Sequence, residues 1–268
     1  MKRLRAIAIA LLVAPVIVAG CGSDGDDPVA AAAAALRDVR SGQLDLRFTA
    51  TPTGGGDVGF RMSGPFAVPN EKGELATARL TYVRLLGDRR EQRTFISTGD
   101  EAFVEADGRT WRLPDAAVAD LRAGDDAGED ALGGLHFEDW ASDAHAEDAD
   151  GGTRRTTADV DPVKALNDLS AFARSLGGEG LPRPLEGQDA ETLRRAVRSA
   201  RMTLVTGADD HVLRSLTVTI DFGVRAAKAV ESVLGELAGV KLVLALDLAK
   251  PNEPVRVDPP ARAQPLPG

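Results

Sequence analysis

Leu242, Leu244, Leu246 and Leu248 alternate with Val243, Ala245 and Asp247, and a period of two over this length belongs to a strand with one apolar face. The same period governs Leu44, Leu46 and Phe48, then Ala78, Leu80 and Tyr82, and later Leu216, Val218, Ile220 and Phe222. From Gln43 to Pro114 the strands are short and the connections tight. Turns are expected at Thr53-Gly54-Gly55-Gly56-Asp57, Leu86-Gly87-Asp88-Arg89, Gly99-Asp100 and Asp107-Gly108, the last a strong hairpin signal. Six strands so joined make an antiparallel meander, because parallel neighbours need long crossovers that this stretch lacks.

Helical periods flank the meander. Pro28 to Arg40 reads as a helix with proline in the first turn, an alanine run, then Leu36 and Val39, and Gly42 is expected to end it. Asp115 to Leu121 fits a short helix. Asp161-Pro162 opens the clearest one, with Asp161 as N-cap. Val163, Leu166, Leu169, Phe172 and Leu176 then form one stripe at spacings of three and four. Asp189 to Ala200 reads as a further helix burying Leu193, Ala196 and Val197, and strands resume at Arg201 to Thr206. Arg225 to Leu237 fits a helix or a long loop equally. Residues 123–152 are acidic, glycine-rich and weakly periodic, which predicts a mobile loop docked through Phe137 and Trp140. Residues 251–268 hold six prolines and read as an extended tail. The body of the chain, residues 30–250, is long enough to bury a real core, and the pattern of elements predicts an α+β fold.

The N-terminus constrains location. Lys2, Arg3 and Arg5 precede an apolar run from Ala6 to Ala19 that is broken by Pro15 and followed at once by polar residues. That is the anatomy of an export signal rather than a spanning helix. Val18-Ala19-Gly20-Cys21 resembles the lipobox of bacterial lipoproteins, in which the cysteine is acylated and becomes the new N-terminus. The resemblance implies a cleaved leader over residues 1–20, lipidation of Cys21, and a flexible tether over residues 21–29 holding the body at the extracytoplasmic face of a membrane. Cys21 is also the single cysteine of the chain, so no internal disulfide can use it. Stable anchoring needs more than one acyl chain, which such processing supplies.

Charge and motifs exclude several functions. The formal net charge is −9, and about −12 once the three basic residues of the leader are removed. Such a body gains nothing from nucleic-acid phosphates. No Gly-x-Ser-x-Gly elbow, phosphate loop or dinucleotide fingerprint occurs, and no carboxylate pair is singled out, so the reading is of a protein that is not an enzyme. His136, His145 and His211 match no zinc spacing. Asp148-Ala149-Asp150-Gly151 lacks the later ligands of a calcium loop. No cofactor or metal is expected.

Two stretches carry a family resemblance. Thr94-Phe95-Ile96-Ser97-Thr98-Gly99-Asp100-Glu101-Ala102-Phe103-Val104, followed by Gly108-Arg109-Thr110-Trp111-Arg112-Leu113-Pro114, is one. Asp159-Val160-Asp161-Pro162 leading into a leucine helix is the other. With the order helix, meander, helices, strands behind a lipobox, the chain resembles the LppX/LprG family of actinobacterial lipoproteins and, more distantly, the LolA and RseB carriers. The acidic stretch from Asp125 to Gly152 departs from that pattern. The resemblance implies a strongly curved antiparallel half-barrel with helices packed across its concave face, and a cavity between them sheltering the acyl chains of a lipid or glycolipid, for transport or presentation.

The apolar alternates and the helix stripe then become candidate lipid contacts: Leu46, Phe48, Phe60, Leu80, Tyr82, Phe95, Phe103, Leu166, Leu169, Phe172, Val218 and Ile220. An envelope transporter or other protein partner would complete such a function. A rival reading keeps the core close-packed and makes the protein a surface interaction or sensor module, with the acidic loop as its contact face.

Overall fold

The computed structural model describes residues 27–52, 56–69, 73–124, 135–175, 183–222 and 241–266. The leader with Cys21, the turn at Thr53–Gly55 and the segment from Arg225 to Leu237 lie outside them.

Among the described residues, twelve strands form one curled, unclosed sheet. The first meander comprises β1 (Ser41–Thr51), β2 (Val58–Ala67), β3 (Thr77–Leu86), β4 (Arg89–Thr98), β5 (Ala102–Ala106) and β6 (Arg109–Arg112). The second comprises β7 (Ala141–Ala149), β8 (Thr153–Val160), β9 (Ser199–Gly207), β10 (Leu213–Asp221) and β11 (Lys241–Ala249). The two halves meet where β1 pairs with β11, Leu46 opposite Leu246. The strand order is β12-β6-β5-β4-β3-β2-β1-β11-β10-β9-β8-β7, antiparallel except that β12 (Gln264–Pro265) runs parallel to β6.

The register puts the leucine alternates of neighbouring strands in common rows. Leu46, Leu246, Leu216 and Leu204 form one such row, and all four are wholly buried. Asp45, Arg47, Asp247 and Thr217 point to the outer face, where Arg61 Nε donates to Asp45 Oδ1 at 2.8 Å. A slip of one residue would exchange the two sets, so this contrast between faces fixes the register.

Helices cover the concave face of the second half. α1 (Pro28–Arg37) starts where the Asp27 carboxylate accepts from the Val29 amide at 2.9 Å. It buries Val29, Ala32, Ala33 and Leu36, one stripe at spacings of three and four. α3 (Phe137–Trp140), α4 (Pro162–Ser175) and α5 (Gly187–Ala196) pack in series beside it. Asp161 caps α4, accepting from the amides of Val163 and Lys164 at 2.9 and 3.3 Å. The Asn167 side chain joins α4 to the approach of α5 through two bonds to the backbone of Leu185. α2 (Asp115–Gly124) lies apart, its Val118 against Leu75 and Ala102.

Three expectations are corrected, and the structure adds an attachment to the tail. The acidic stretch 123–152 is not a loop throughout: Phe137–Trp140 is a helical turn and Ala141–Ala149 is strand β7, paired with β8. The apolar period fails there because β7 is an edge strand, broken by a bulge between Ser142 and His145 with Asp143 at φ +51°. Phe137 and Trp140 do dock, both buried. The first helix ends at Arg37, and Gly42 belongs to β1, where an added Cβ would lie 3.1 Å from Ala249 O and Leu248 Cδ1. α5 ends at Ala196, since the backbone turns extended at Val197 to start β9 at Ser199. The proline-rich tail is tied down: Asn252 and Glu253 bond to Arg40 and Ser41, and β12 pairs with β6.

Candidate functional site

The concave face changes character across the sheet. Over β8 to β11 and β1 its side chains are buried, filled from above by α1, α3, α4 and α5. Over β2 to β5 the same face continues through Val58, Phe60, Met62, Leu80, Tyr82, Leu86, Phe95 and Val104, and these are half-buried or exposed. Tyr82 is 40% exposed. A contiguous apolar surface left open on a folded chain is the mark of an interaction site.

Register explains how these side chains meet. Phe48 faces Phe60 across β1 and β2, and Met62 faces Tyr82 across β2 and β3. Leu80 faces Phe95 across β3 and β4, and Phe95 faces Val104 across β4 and β5. The rings of Phe48 and Phe60 lie 6.0 Å apart, tilted by 33°, and those of Phe60 and Tyr82 lie 5.8 Å apart at 25°. The three aromatics thus step from the packed core out to the open face, within the range where ring pairs attract. Gly64 stands opposite Leu80 in this sheet, and a Cβ there would meet Arg79 O at 2.0 Å, so only glycine lets β2 and β3 approach.

Arginines border the aromatic steps. Arg93 pairs across from Tyr82, and Arg84 lies across from Phe60 and shares the concave face with Tyr82. Burial raises the Tyr82 phenol above its ordinary pKa, Arg84 and Arg93 act against that rise and Glu91 adds to it, so all three charged groups lie within electrostatic reach of its hydroxyl.

The sequence-derived candidates fall into separate places. Phe60, Leu80, Tyr82 and Phe95 share the concave face of β2 to β4, where Phe60 and Leu80 also pack against the main core and Phe95 against the small cluster of Leu75, Ala102 and Val118. Leu46, Phe48, Val218, Ile220 and Leu166 are buried under the helices, with Leu169 half-buried beside them. Phe103 lies on the outer face, opposite Ile96, and is 4% exposed. Phe172 is in α4 with its side chain outside the described set. Val58, Met62, Leu86 and Val104 join the face and are not among the candidate contacts read from the sequence. Continuing the alternation from Phe60 and Leu80 would have found Met62 and Leu86.

Asp168 accepts from the His136 amide at 2.7 Å and from the Trp140 indole at 3.1 Å, fastening α3 to α4. Among the described residues no three His, Cys, Asp or Glu side chains gather as a metal site, and no helix is long and apolar enough to cross a membrane. A cleft of about 220 Å³ between Gln43, Pro65 and Glu253–Arg256 marks where the tail leaves the sheet.

No family model matches the chain, and no curated protein sequence matches it. Among solved structures it is similar to LprF from Mycobacterium bovis, at 12% identity and a TM-score of 0.40, over 88% of this chain and 96% of that one. The fold assignment rests on the strand pairing, not on that likeness. Strand pairing and helix placement define the class: an α+β protein with a curled, open sheet half covered by helices.

Proposed function

We propose that this chain is a lipid-anchored protein of the cell envelope that binds a lipid or glycolipid on the open concave face of β2 to β5, for transport or presentation. One observation carries the reading: the apolar face that helices bury over one half of the sheet continues only half-buried through Phe60, Met62, Leu80 and Phe95 to the exposed Tyr82. An acyl chain loses about 0.8 kcal/mol per CH₂ when water replaces apolar surroundings, so such a face offers it shelter. Acylated Cys21 would tether the body within reach of the bilayer. The chain acts by binding and is not an enzyme, a reading supported by the lack of any catalytic motif in its sequence.

The test is native mass spectrometry with lipid extraction on protein purified from a membrane-containing host. Near-stoichiometric co-purifying lipid is the expected result. A clean mass, unchanged after incubation with phospholipid, overturns the proposal. That outcome would favour the interaction-module reading, which draws on the filled core under the helices and on the exposed carboxylates Asp143, Glu147 and Asp148 along the β7 edge.

A further inference from the structure

Several arginines of the sheet are held in ion pairs. On the outer face Arg61 is paired with Asp45, Arg79 with Glu105 and Arg201 with Asp159. Arg84 and Arg93 differ. Both are exposed on the concave face beside Tyr82, and among the described residues neither makes an ion pair or a side-chain hydrogen bond. Arg109 continues the row from Arg93 through Ala106, and Arg89 stands across from Leu86. Among the described residues of β2 to β6, one carboxylate shares the concave side with them, Glu91 opposite Arg84, against the four arginines. In a chain of net charge −9, a cationic rim set against an apolar face is a specific placement.

We infer that the ligand of this face is an anionic amphiphile, with its chain along Leu80, Tyr82 and Phe95 and its carboxylate or phosphate held by Arg84 and Arg93. The inference rests on the face being the lipid site. Guanidinium groups present forked donors suited to both anions, and hydrogen bonds to an ionised partner are about twice as strong as neutral ones. The neighbouring apolar surface excludes part of the water that would otherwise screen them. Solvent still reaches the rim, so each arginine is worth a few-fold in affinity and the pair about tenfold at low salt. A neutral chain of equal length would gain the apolar contacts alone.

The experiment uses the purified full chain and the neutral fluorescent probe N-phenyl-1-naphthylamine, displaced by palmitate, hexadecyl phosphate or hexadecanol. The expected result is that both anions displace the probe about tenfold more tightly than the alcohol. The ratio should fall toward one in the Arg84→Gln, Arg93→Gln double variant and in molar salt. It should persist in the Arg84→Lys, Arg93→Lys variant, and in Arg47→Gln, which removes a charge from the outer face. Equal affinity for alcohol and anions overturns the inference while leaving lipid binding intact. A ratio that survives the glutamine variant or high salt overturns it too, and the salt arm needs no variant to fold. Competition by inorganic phosphate alone would make this a free-anion site and reject the amphiphile. Failure of probe and all three ligands to bind defeats the lipid reading itself, and the inference with it.

Discussion

The rings of Phe60 and Tyr82 stack at 5.8 Å with 25° between their planes, so one side chain of the half-open face rests on another that leads back to the core through Phe48. This continuity separates two classes of substitution. Phe60→Ala and Leu80→Ala remove half-buried surface, and are expected to weaken binding of an apolar fluorescent probe several-fold with only a small shift in melting temperature. Leu246→Ala removes a wholly buried side chain beneath the helices. It should cost about 2–5 kcal/mol, which for a domain of this size lowers Tm by roughly 5–15 °C. Paired probe titrations and thermal melts of the three variants check this.

Tyr82 is the only tyrosine of the chain, so its titration can be read directly from phenolate absorbance. Burial, with a smaller push from Glu91, raises its pKa above the ordinary value near 10, partly opposed by Arg84 and Arg93. The folded protein should therefore ionise at higher pH than the urea-unfolded chain. The sign for stability follows: the contribution is fully present below the unfolded pKa near 10 and is lost as pH rises through the folded one. A ligand covering Tyr82 should push the midpoint higher still. A midpoint equal to that in urea would show the ring to be fully hydrated.

Asp168 joins two donors, the His136 amide and the Trp140 indole, in one carboxylate, and its loss should loosen α3. Asp168→Ala leaves the buried Trp140 indole and the His136 amide without their acceptor. A cost of about 1–3 kcal/mol is expected, with a red shift in tryptophan emission. Asp161→Ala removes the cap of α4 and one of the two carboxylate partners of Arg194, at about 1 kcal/mol. Circular dichroism during thermal melting should register both losses.

How far the sequence reveals this fold depends on whether one face is dry. Where Leu242 to Leu248 or Leu216 to Phe222 lie over a filled core, the alternation is strict and the strands are legible. β7 is not, because an edge strand with one neighbour needs no apolar row, and its bulge at Asp143 breaks the period. Alternation also leaves the sign of a face open when both sides are apolar. Ala102-Phe103-Val104 is such a case: pairing of Phe103 with Ile96 sends it to the outer face, while Val104 joins Phe95 on the concave one. The split of the concave face into covered and open halves is a property of helix placement. It depends on α1 packing against β7 and β10 at long range, which no local pattern in the alanine run encodes.

The tail provides the last prediction. Proline-rich composition describes its extended backbone but not its attachment, which uses main-chain and short polar groups. Asn252 donates its amide to Ser41 O and accepts from the Arg40 amide at 2.7 Å; the Ser41 hydroxyl donates to Glu253 O at 2.7 Å. At the far side the Leu266 amide donates to Arg112 O, and Gln264–Pro265 pairs with Trp111–Arg112. The chain thus leaves the sheet beside β1 and rejoins it at β6, five strands along. At about 4.8 Å per strand that is roughly 24 Å, well within the reach of the intervening residues at about 3.3 Å each. A strap fixed at both ends resists opening of the first meander, the half that has fewest helices over it. Ending the chain after Lys250 should therefore speed hydrogen exchange in β5 and β6 and leave β9 to β11 protected, since those strands are held by the helix-covered core. Uniform loss of protection across the sheet would show that the tail supports the whole fold. Unchanged exchange in β6 would show that its docking contributes nothing to holding that edge.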